Sequence, residues 1–482
     1  MSIYDKYEAV IGLEVHAQLS TRSKAYSSDS TEFGVLPNTN VSPTSLGHPG
    51  TLPKANKRVI EYAVRLGLAC KSNIRELNEY ARKNYFYADL PKGYQITQDK
   101  TPICTGGFIS IKMSDGSEKH INITRIHMEE DAGKSIHDMD PFDTLIDLNR
   151  AGVPLVEIVS EPDLRSGEEA YQYLLEVRKL VRYLDICDGN MEEGSLRCDA
   201  NVSVRLKGAK EFGKRTETKN MNSMRNVQRA IEYEIKRQIE EIEKGNEISQ
   251  DTMGFDAVAG ITYLMRSKEM ANDYRYFPEP DLQPVVVTTE YIENVKKSLP
   301  PLPNELFKKY LSLGLSSYDA GVLTDSKELA LYFEEILVNT KNAKSASNWL
   351  TVQIKSYLND SALHISDFKI TPQRIAELVN FIDSGKVSHT IATQKIFPKM
   401  MEDLSKSAAD IATENNWIQE SDSGALTEFV NQAIAKFPDK VVEYKNGKTT
   451  LLGLFMGEVM KLSKGKADPK MATELVKEML EK

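Results

Sequence analysis

The clearest strand pattern in the chain runs from Arg197 to Leu206, where polar and apolar residues alternate without interruption. Successive side chains of a strand point to opposite faces, so the pattern predicts one core face and one polar face. The polar face would carry Arg197, Asp199, Asn201, Ser203 and Arg205. This row suits a metal–phosphate site, because carboxylates hold cations and guanidinium groups hold phosphoryl oxygens. The alternative, which is commoner, is an ordinary solvent-facing strand.

Residues 8–19 show the same alternation and predict a second strand with a clean apolar face. Glu14 and His16 stand two positions apart on its polar face, so their side chains would lie next to each other. A carboxylate and an imidazole in this arrangement can share a cation. A chance pair on an exposed strand is the competing explanation.

Apolar residues at spacings of three and four predict helices over 55–69, from 167 onward, and over 224–244. Ser166 is a suitable N-cap for the second of these helices, and Glu169 would complete a capping box. The third has Asn222 or Ser223 as its cap, Gly245 at its end, and an apolar stripe that we interpret as core. That stripe consists of Met224, Val227, Ile231, Ile235, Ile239 and Ile242.

Two segments show neither the alternation of a strand nor the three-and-four spacing of a helix. Residues 20–56 are rich in Ser, Thr, Asn, Pro and Gly and predict a long irregular segment, of a kind that is usually functional or disordered. Residues 82–95 interleave three basic residues with four aromatic ones. That mixture suits stacking on a base and contact with phosphates, or an edge strand with a turn and its rings in the core.

At 482 residues the chain is too long for one core. We predict an α+β fold: an antiparallel-sheet cradle over 1–293, a helical domain over 294–410 and a helical tail over 411–482. The basic turn Lys464–Pro469 precedes the last predicted helix and could contact phosphate or simply be solvated.

The composition narrows the classes of function. The net charge is −9, so no global basic field indicates nucleic acid, although a local patch could bind it. The four cysteines form no CxxC pair, and neither a signal peptide nor a long apolar run is visible, which together predict a cytoplasmic protein. The P-loop, zinc-protease and serine-hydrolase motifs GxxxxGK[ST], HExxH and GxSxG are missing from the sequence.

Four separate stretches of the first 200 residues carry polar groups suited to a cation. Oxygen ligands with at most one imidazole suit Mg²⁺ or Mn²⁺ better than Zn²⁺. The residues are Glu14 and His16, Glu129 and Glu130, Glu157 and Glu161, and Asp199.

Several longer motifs together resemble one family, the B subunit of the aspartyl/glutamyl-tRNA(Asn/Gln) amidotransferase, and they stand in the same order. The resemblance runs from about residue 7 to the C-terminus. The motifs are Ile11-Gly-Leu-Glu-Val-His16, Arg82-Lys-Asn-Tyr-Phe-Tyr87, Arg125-Ile-His-Met-Glu-Glu-Asp-Ala-Gly-Lys134, Val156-Glu-Ile-Val-Ser-Glu-Pro-Asp163, Met191-Glu-Glu-Gly-Ser-Leu-Arg-Cys-Asp-Ala-Asn201 and Asp273-Tyr-Arg-Tyr-Phe-Pro278.

The resemblance implies a cradle, a helical linker domain and a tail that contacts tRNA. It implies two partners: an A subunit that hydrolyses glutamine and supplies ammonia, and a small C subunit that wraps the other two. It also implies a reaction, in which ATP with Mg²⁺ phosphorylates the side-chain carboxylate of Glu-tRNA(Gln) or Asp-tRNA(Asn), and ammonia then displaces phosphate. The alternative is a tRNA-binding scaffold subunit without catalysis.

The same resemblance implies which residues form the metal and kinase centre. They are Glu14, His16, Glu157, Asp199 and Glu129, with Glu130 as the alternative to Glu129. From their chemistry we add Lys83, Lys92, Arg197 and Arg205 as contacts to phosphate or to the tRNA end.

One departure concerns zinc. Many members of the family carry a CxxC pair before a Leu-Gly-x-Pro-Gly turn, and it helps to bind zinc; here the two positions are Ser42 and Ser45. Serine hydroxyls are poor zinc ligands, so we predict no zinc there and a loop held by ordinary hydrogen bonds.

Overall fold

A computed structural model shows two compact units, one ending at Pro303 and the other beginning at Asn304. The structure describes residues 2–113, 115–267, 273–418, 423–463, 467 and 469–481. Most of the basic turn Lys464–Pro469 therefore lies outside the described residues.

The first unit contains all of the strands in the described part of the chain. They are β1 (Tyr7–Gln18), β2 (Asn73–Ile74), β3 (Leu77–Asn78), β4 (Ala81–Asn84), β5 (Tyr94–Thr97), β6 (Cys104–Thr105), β7 (Phe108–Lys112), β8 (Glu118–Glu130), β9 (Lys134–Ile136), β10 (Leu145–Asp147), β11 (Pro154–Ser160), β12 (Leu196–Leu206), β13 (Thr216–Lys219), β14 (Asp251–Asp256), β15 (Ile261–Ser267), β16 (Phe277–Pro278) and β17 (Val285–Val286). Its helices are α1 (Pro43–Leu46), α2 (Lys57–Ala69), α3 (Gly167–Tyr183), α4 (Met224–Glu243) and α5 (Thr289–Lys297).

A ten-stranded sheet forms the centre of this unit, in the order β15-β14-β13-β12-β1-β11-β8-β6-β2, with β7 paired to β8. Its described neighbours pair antiparallel, except for β13 and β14, which are parallel. β16, β4 and β5 form a separate small sheet. The predicted sheet-based N-terminal region is thus confirmed, with one parallel pair that the sequence pattern did not indicate.

One face of the large sheet is packed against α2, α3 and α4 through a continuous hydrophobic core. The predicted alternation supplies that face: Ile11, Leu13 and Val15 come from β1, and Ala200 and Val202 from β12. The opposite face is left for polar side chains, because successive residues of a strand alternate.

A β-bulge in β8 keeps its apolar residues on the core face. The register against β11 shifts between Val159 and Ser160, which pair with Arg125 and Ile123. As a result Ile123 and Ile126, three positions apart, are both buried in the core. Beyond the bulge, alternate residues from His127 onward face away from the helices.

The predicted caps of α3 and α4 are present in modified form. Ser166 accepts a hydrogen bond from the Glu169 amide, but Glu169 accepts from the Arg165 amide, so the predicted capping box is not formed. Ser223, rather than Asn222, caps α4.

The buried side of α4 also differs from the predicted apolar stripe. Glu234 is fully buried there and accepts hydrogen bonds from Arg237, Gln238, Thr216 and Thr262. A buried carboxylate needs such partners, since desolvation of an unpaired charge is costly.

The first unit ends ten residues later than the boundary at 293 predicted from the sequence. Residue 293 lies inside α5, and Val295, Leu299 and Leu302 pack against the same core as the sheet. The chain leaves that core only at Pro303.

All regular elements in the described part of the second unit are helices. Its α-helices are α6 (Pro303–Ser312), α7 (Ser317–Leu323), α8 (Lys327–Asn339), α9 (Ala343–Asn348), α10 (Lys355–Asp360), α11 (Pro372–Asp383), α12 (His389–Ile391), α13 (Phe397–Glu402), α14 (Ala408–Glu414), α15 (Ser423–Lys436), α16 (Pro438–Lys445), α17 (Leu452–Leu462) and α18 (Pro469–Glu481). Its last helices bury their own cluster, which includes Val430, Phe455 and Val476. None of the helices that the structure describes is long and apolar enough to cross a membrane.

The carboxylate of Asp29 joins three serines of the irregular segment over 20–56. Asp29 accepts hydrogen bonds from the hydroxyls of Ser27 (3.0 Å), Ser42 (2.8 Å) and Ser45, and from the Ser42 amide at 3.0 Å. Burial alone would raise the pKa of Asp29, but the hydrogen bonds from Ser45 and Ser42 outweigh it and lower the pKa. Ser42 and Ser45, which stand where many family members carry the CxxC pair, are thus both engaged in this hydroxyl–carboxylate cluster.

We predict that Asp29→Asn loosens this segment, because an amide cannot accept the same set of hydrogen bonds. The Ser42 amide should exchange with deuterium about tenfold faster or more, since hydrogen bonds to charged groups each contribute roughly 1.5–3 kcal/mol. Glu32→Gln makes the same chemical change at an exposed position and should leave exchange unaltered. The lowered pKa means that the Asp29 contribution is present above the pKa of the unfolded chain, and is lost as pH falls through the folded value. Equal exchange in both variants would contradict this role.

Candidate functional site

The site is built on β1, which lies between β11 and β12 in the large sheet. Glu14 lies opposite Asp199 of β12, and His16 lies opposite Arg197 of β12 and Glu157 of β11. These residues share the face turned away from the helices, so three strands bring together side chains that are up to 185 positions apart in the sequence (199 minus 14).

An imidazole and two carboxylates meet on this face. The His16 Nε2 atom lies 3.0 Å from Glu157 Oε2 and 3.9 Å from Glu129 Oε2. One ligand atom from each of the three residues falls within 4.8 Å of the others, which is close enough for a single metal ion to bind all three. Glu129 and Glu157 are buried and His16 is half-buried.

The close packing of these groups shifts their pKa values. Burial lowers the pKa of His16, but its hydrogen bond to Glu157 and the charges of Glu157 and Glu129 outweigh burial and raise it to about 9. Burial raises the pKa of Glu129, but the hydrogen bond from His127 and the charge of His16 outweigh it and lower the pKa. Burial also raises the pKa of Glu157, but the charge of His127 and the hydrogen bond from His16 outweigh it and lower the pKa. Both acids of this trio are therefore held in the ionised form.

A second acidic group lies next to the trio. Glu14 accepts a hydrogen bond from Asn201 at 3.0 Å, while Lys219 of β13 donates to Asp199 and to Glu217, the latter at 2.9 Å. Burial, followed by the charges of Glu157, Glu217 and Asp199, raises the pKa of Glu14. Three acids therefore raise the pKa of Glu14, and Lys219 is the cation that opposes them. Such an excess of acids around one carboxylate is expected of a site that binds a cation.

Two cavities open onto these residues. One, of about 490 Å³, is lined by the acids and by several cationic side chains; the other, of about 570 Å³, shares His16, Lys83, Glu129, Asp199 and Lys219 with it. The cations of the first cavity are Lys83, Arg125, Arg215, Lys219 and Arg266. Carboxylates beside guanidinium and ammonium groups form a surface that can hold a metal ion together with phosphates.

The two neighbouring acids Glu129 and Glu130 point in opposite directions. Glu129 faces the trio, whereas Glu130 accepts from Lys92 and from the Ile96 amide on the other side of β8. Strand alternation produces this split, so of the two it is Glu129 that the structure brings to His16 and Glu157.

Lys83 and Arg197, two of the predicted phosphate contacts, line the cavities that open onto the acids. Lys83 lines both cavities, 4.9 Å from the centre of the Tyr274 ring, and Arg197 lines the larger one and donates to Asp131 at 2.7 Å. Their roles remain predictions, since position alone does not show what they bind.

Lys92 and Arg205 are not brought to this site. Lys92 is paired with Glu130 and lines neither of the two cavities. Arg205 donates to Glu8 at 2.7 Å at the far end of β12 and also lines neither. Glu161 lies outside them too, and accepts from Thr124 at 2.7 Å.

Sequence reasoning missed several residues of the site, namely His127, Arg215, Glu217, Lys219 and Arg266. His127 precedes Glu129 by two positions, so the alternation that joined Glu14 to His16 could have identified it. Thr216–Lys219 also alternates, but four residues are too few for a reliable strand signal.

The basic and aromatic stretch 82–95 forms β4 and β5 with the turn between them. Arg82 is bound to the buried Glu279 at 2.6 Å and lies over the Tyr94 ring, so these groups serve the fold. Phe86 and Tyr87 are exposed. The strand of the second interpretation is present, but these two rings do not lie in the core, and stacking on a base stays a prediction.

The sheet, its polar face and the cation-lined cavities belong to a domain of known class. Residues 9–293 match the family described as the GatB/GatE catalytic domain, and residues 331–480 match the family described as the GatB domain.

Full-length relatives make the assignment more specific. The chain is 50% identical to a protein of Caldicellulosiruptor bescii over 99% of this chain and 100% of the relative. It is 50% identical to one of Chlorobium limicola over the same shares, and 46% identical to one of Clostridium botulinum over 98% of both. All three are named as the B subunit of aspartyl/glutamyl-tRNA(Asn/Gln) amidotransferase, and the chain belongs to this family.

We predict that Glu157→Gln weakens Mn²⁺ binding by the full chain by about tenfold or more, because the site loses a charged ligand. Titration of Mn²⁺ followed by electron paramagnetic resonance measures the free ion directly. Glu161→Gln, four residues further on and outside both cavities, provides the matched control and should bind as the unaltered chain does. Equal weakening in both variants would contradict the assignment of the cation to the trio.

Proposed function

We propose that this chain is the B subunit of a tRNA-dependent amidotransferase, an ATP-dependent carbon–nitrogen ligase that uses glutamine as its nitrogen donor. It would phosphorylate the side-chain carboxylate of Glu-tRNA(Gln), of Asp-tRNA(Asn) or of both, and ammonia would then replace the phosphate. The names of its relatives support the reaction class. The single observation that supports catalysis by this chain is the convergence of acids and His16 beside a cation-lined cavity.

The chemistry explains why activation is needed. A carboxylate resists attack by ammonia, because its carbon is poorly electrophilic and oxide is not a feasible leaving group. In the first step a carboxylate oxygen forms a bond to the γ-phosphorus of ATP, and the bond from that phosphorus to ADP breaks. In the second, ammonia attacks the acyl carbon, phosphate leaves with the bonding electrons, and the nitrogen loses a proton to give the amide.

The residues present fit a Mg²⁺ ion. Glu129, Glu157 and His16 would hold it, with Glu14 and Asp199 beside them, and carboxylate oxygens are the ligands that this ion prefers. Burial, and after it the charges of Glu157, Glu217 and Asp199, raise the pKa of Glu14, and a divalent cation would offset the repulsion from those acids. A bound Mg²⁺ would neutralise negative charge that develops during phosphoryl transfer.

The cationic residues of the cavity would position the nucleotide. Arg215, Lys219 and Arg266 line the cavity that contains the acids, so a triphosphate could contact both sets of side chains. Burial lowers the pKa of Lys83, but the charges of Glu129 and Glu157 outweigh burial and raise it, so Lys83 stays charged. It could therefore contact the acceptor carboxylate or a phosphate. Positioning and charge stabilisation account for most of the catalysis in phosphoryl transfer.

The partners follow from the same proposal. A glutaminase A subunit would supply ammonia, a C subunit would complete the assembly, and the helical tail would contact tRNA. The net charge of −9 means that tRNA must be bound through local cations, so binding should weaken with salt. A scaffold subunit without catalysis is not favoured, because tRNA binding alone does not require buried acids to converge on His16.

We predict that Asp199→Asn in the assembled enzyme lowers ATP-dependent amidation of mischarged tRNA at least about 100-fold, as expected when charge stabilisation at a reacting phosphate is lost. Hydrolysis of glutamine should persist, since it would occur on the A subunit. Asp143→Asn, at an exposed position outside both cavities, is the matched control.

The measurement is the formation of Gln-tRNA or Asn-tRNA together with release of ADP. If Asp199→Asn amidates at the unaltered rate, the kinase centre lies elsewhere and the scaffold alternative gains support.

A further inference from the structure

His127 is a buried imidazole at the base of the trio, and the proposed reaction assigns it no role. It lies on β8 opposite Glu157, and its side chain is turned to the same face as Glu129. Only 3% of the residue is exposed. Its Nε2 atom lies 2.9 Å from Glu129 Oε1 and 3.7 Å from Glu157 Oε2.

The two oxygens of Glu129 have different surroundings. Oε1 accepts from His127 at 2.9 Å and from the Thr97 hydroxyl at 3.0 Å. Oε2 accepts a hydrogen bond from the Gln95 side-chain amide at 3.2 Å and lies 3.9 Å from His16 Nε2. Oε1 therefore has two donors, whereas Oε2 has one and faces His16.

His127 itself is poorly placed as a ligand. It lies outside the group of His16, Glu129 and Glu157 whose ligand atoms fall within 4.8 Å of one another. Its Nε2 atom is occupied by Glu129, and its Nδ1 atom is buried without a hydrogen-bond partner among the residues that the structure describes. The contacts of the ring with Glu129 and Glu157 are thus its only polar contacts that the structure shows.

We propose that His127 is a positioning residue, which holds Glu129 and the neighbouring Glu157 in the orientation that binds a divalent cation. This inference rests on the proposed function, because the cation would serve the phosphoryl-transfer step there. By holding Oε1, His127 prevents rotation of the Glu129 carboxylate and keeps Oε2 on the cavity side. Hydrogen-bonded neighbours of metal ligands commonly set their orientation in this way.

The test compares three variants of the full chain. His127→Leu removes the donor at similar volume, and Glu129 then keeps Thr97 and Gln95 as partners. His127→Gln places an amide N–H near the position of Nε2 and can restore the hydrogen bond. His120→Leu is the matched control: His120 lies on the same strand, bonds to Ser110 at 2.8 Å and lines neither cavity.

We expect His127→Leu to weaken Mn²⁺ binding about 10- to 100-fold, the usual range for loss of such a neighbour. His127→Gln should recover most of the affinity, and His120→Leu should keep all of it. Electron paramagnetic resonance of bound Mn²⁺ gives the affinity without requiring activity. In the assembled enzyme, His127→Leu should raise the Mg²⁺ concentration needed for half-maximal amidation and leave kcat at saturating Mg²⁺ within about threefold.

Unchanged Mn²⁺ affinity in His127→Leu would overturn the proposal. So would an affinity as low in His127→Gln as in His127→Leu, because the ring would then act as a ligand or through packing. Both results are distinct from failure of the proposed function, which would show as absence of ATP-dependent amidation by the unaltered enzyme.

Discussion

The pairing of β1 between β11 and β12 is the constraint on which the candidate site depends. Within this pairing Glu14 lies opposite Asp199, and His16 lies opposite Glu157. A shift of one residue would exchange the two faces of β1 and bury Glu14 and His16 against the helices. The hydrophobic core formed by Ile11, Leu13 and Val15 excludes that shift, so the same apolar residues that stabilise the sheet also fix the geometry of the polar face.

Charge balance on that face is the second constraint. Acids removed from solvent are tolerated only with partners. His16 of β1 is the partner of Glu157, His127 of β8 is the partner of Glu129, and Lys219 of β13 is the partner of Asp199. Glu14 has a neutral partner, Asn201, and its pKa is raised. Among the described residues Glu14 therefore has no ion-pair partner of its own, and a divalent cation would serve as one. The cationic rim of the cavity could then contact phosphates that accompany the cation.

Much of this arrangement could be predicted from the sequence because it depends on local alternation. The faces of β1 and β12 follow from a period of two, and the longer motifs identified the family and supplied the proposed ligand residues. The predictions that failed concern residues far along a strand or outside any strand. Arg205 lies on the predicted face, but eight residues from Arg197 amounts to roughly 26 Å of strand, too far for one site. Lys92 follows a turn that directs it to Glu130, which no periodicity could indicate.

The residues that support the proposed ligands were harder to find than those ligands for a physical reason. The proposed ligand Glu157 lies on a strand of seven residues, whereas Gln95, Thr97 and Lys219 lie on strands of four residues, which are too short for a reliable pattern. His127 follows a bulge, where a simple count from the start of β8 assigns it to the wrong face. Local rules thus identify which residue types can bind a cation, while the orientation of each carboxylate is decided by tertiary contacts. The sequence therefore could not decide between Glu129 and Glu130. Alternation puts them on opposite sides of β8, and only the tertiary partners show that Glu129 faces His16 while Glu130 faces Lys92.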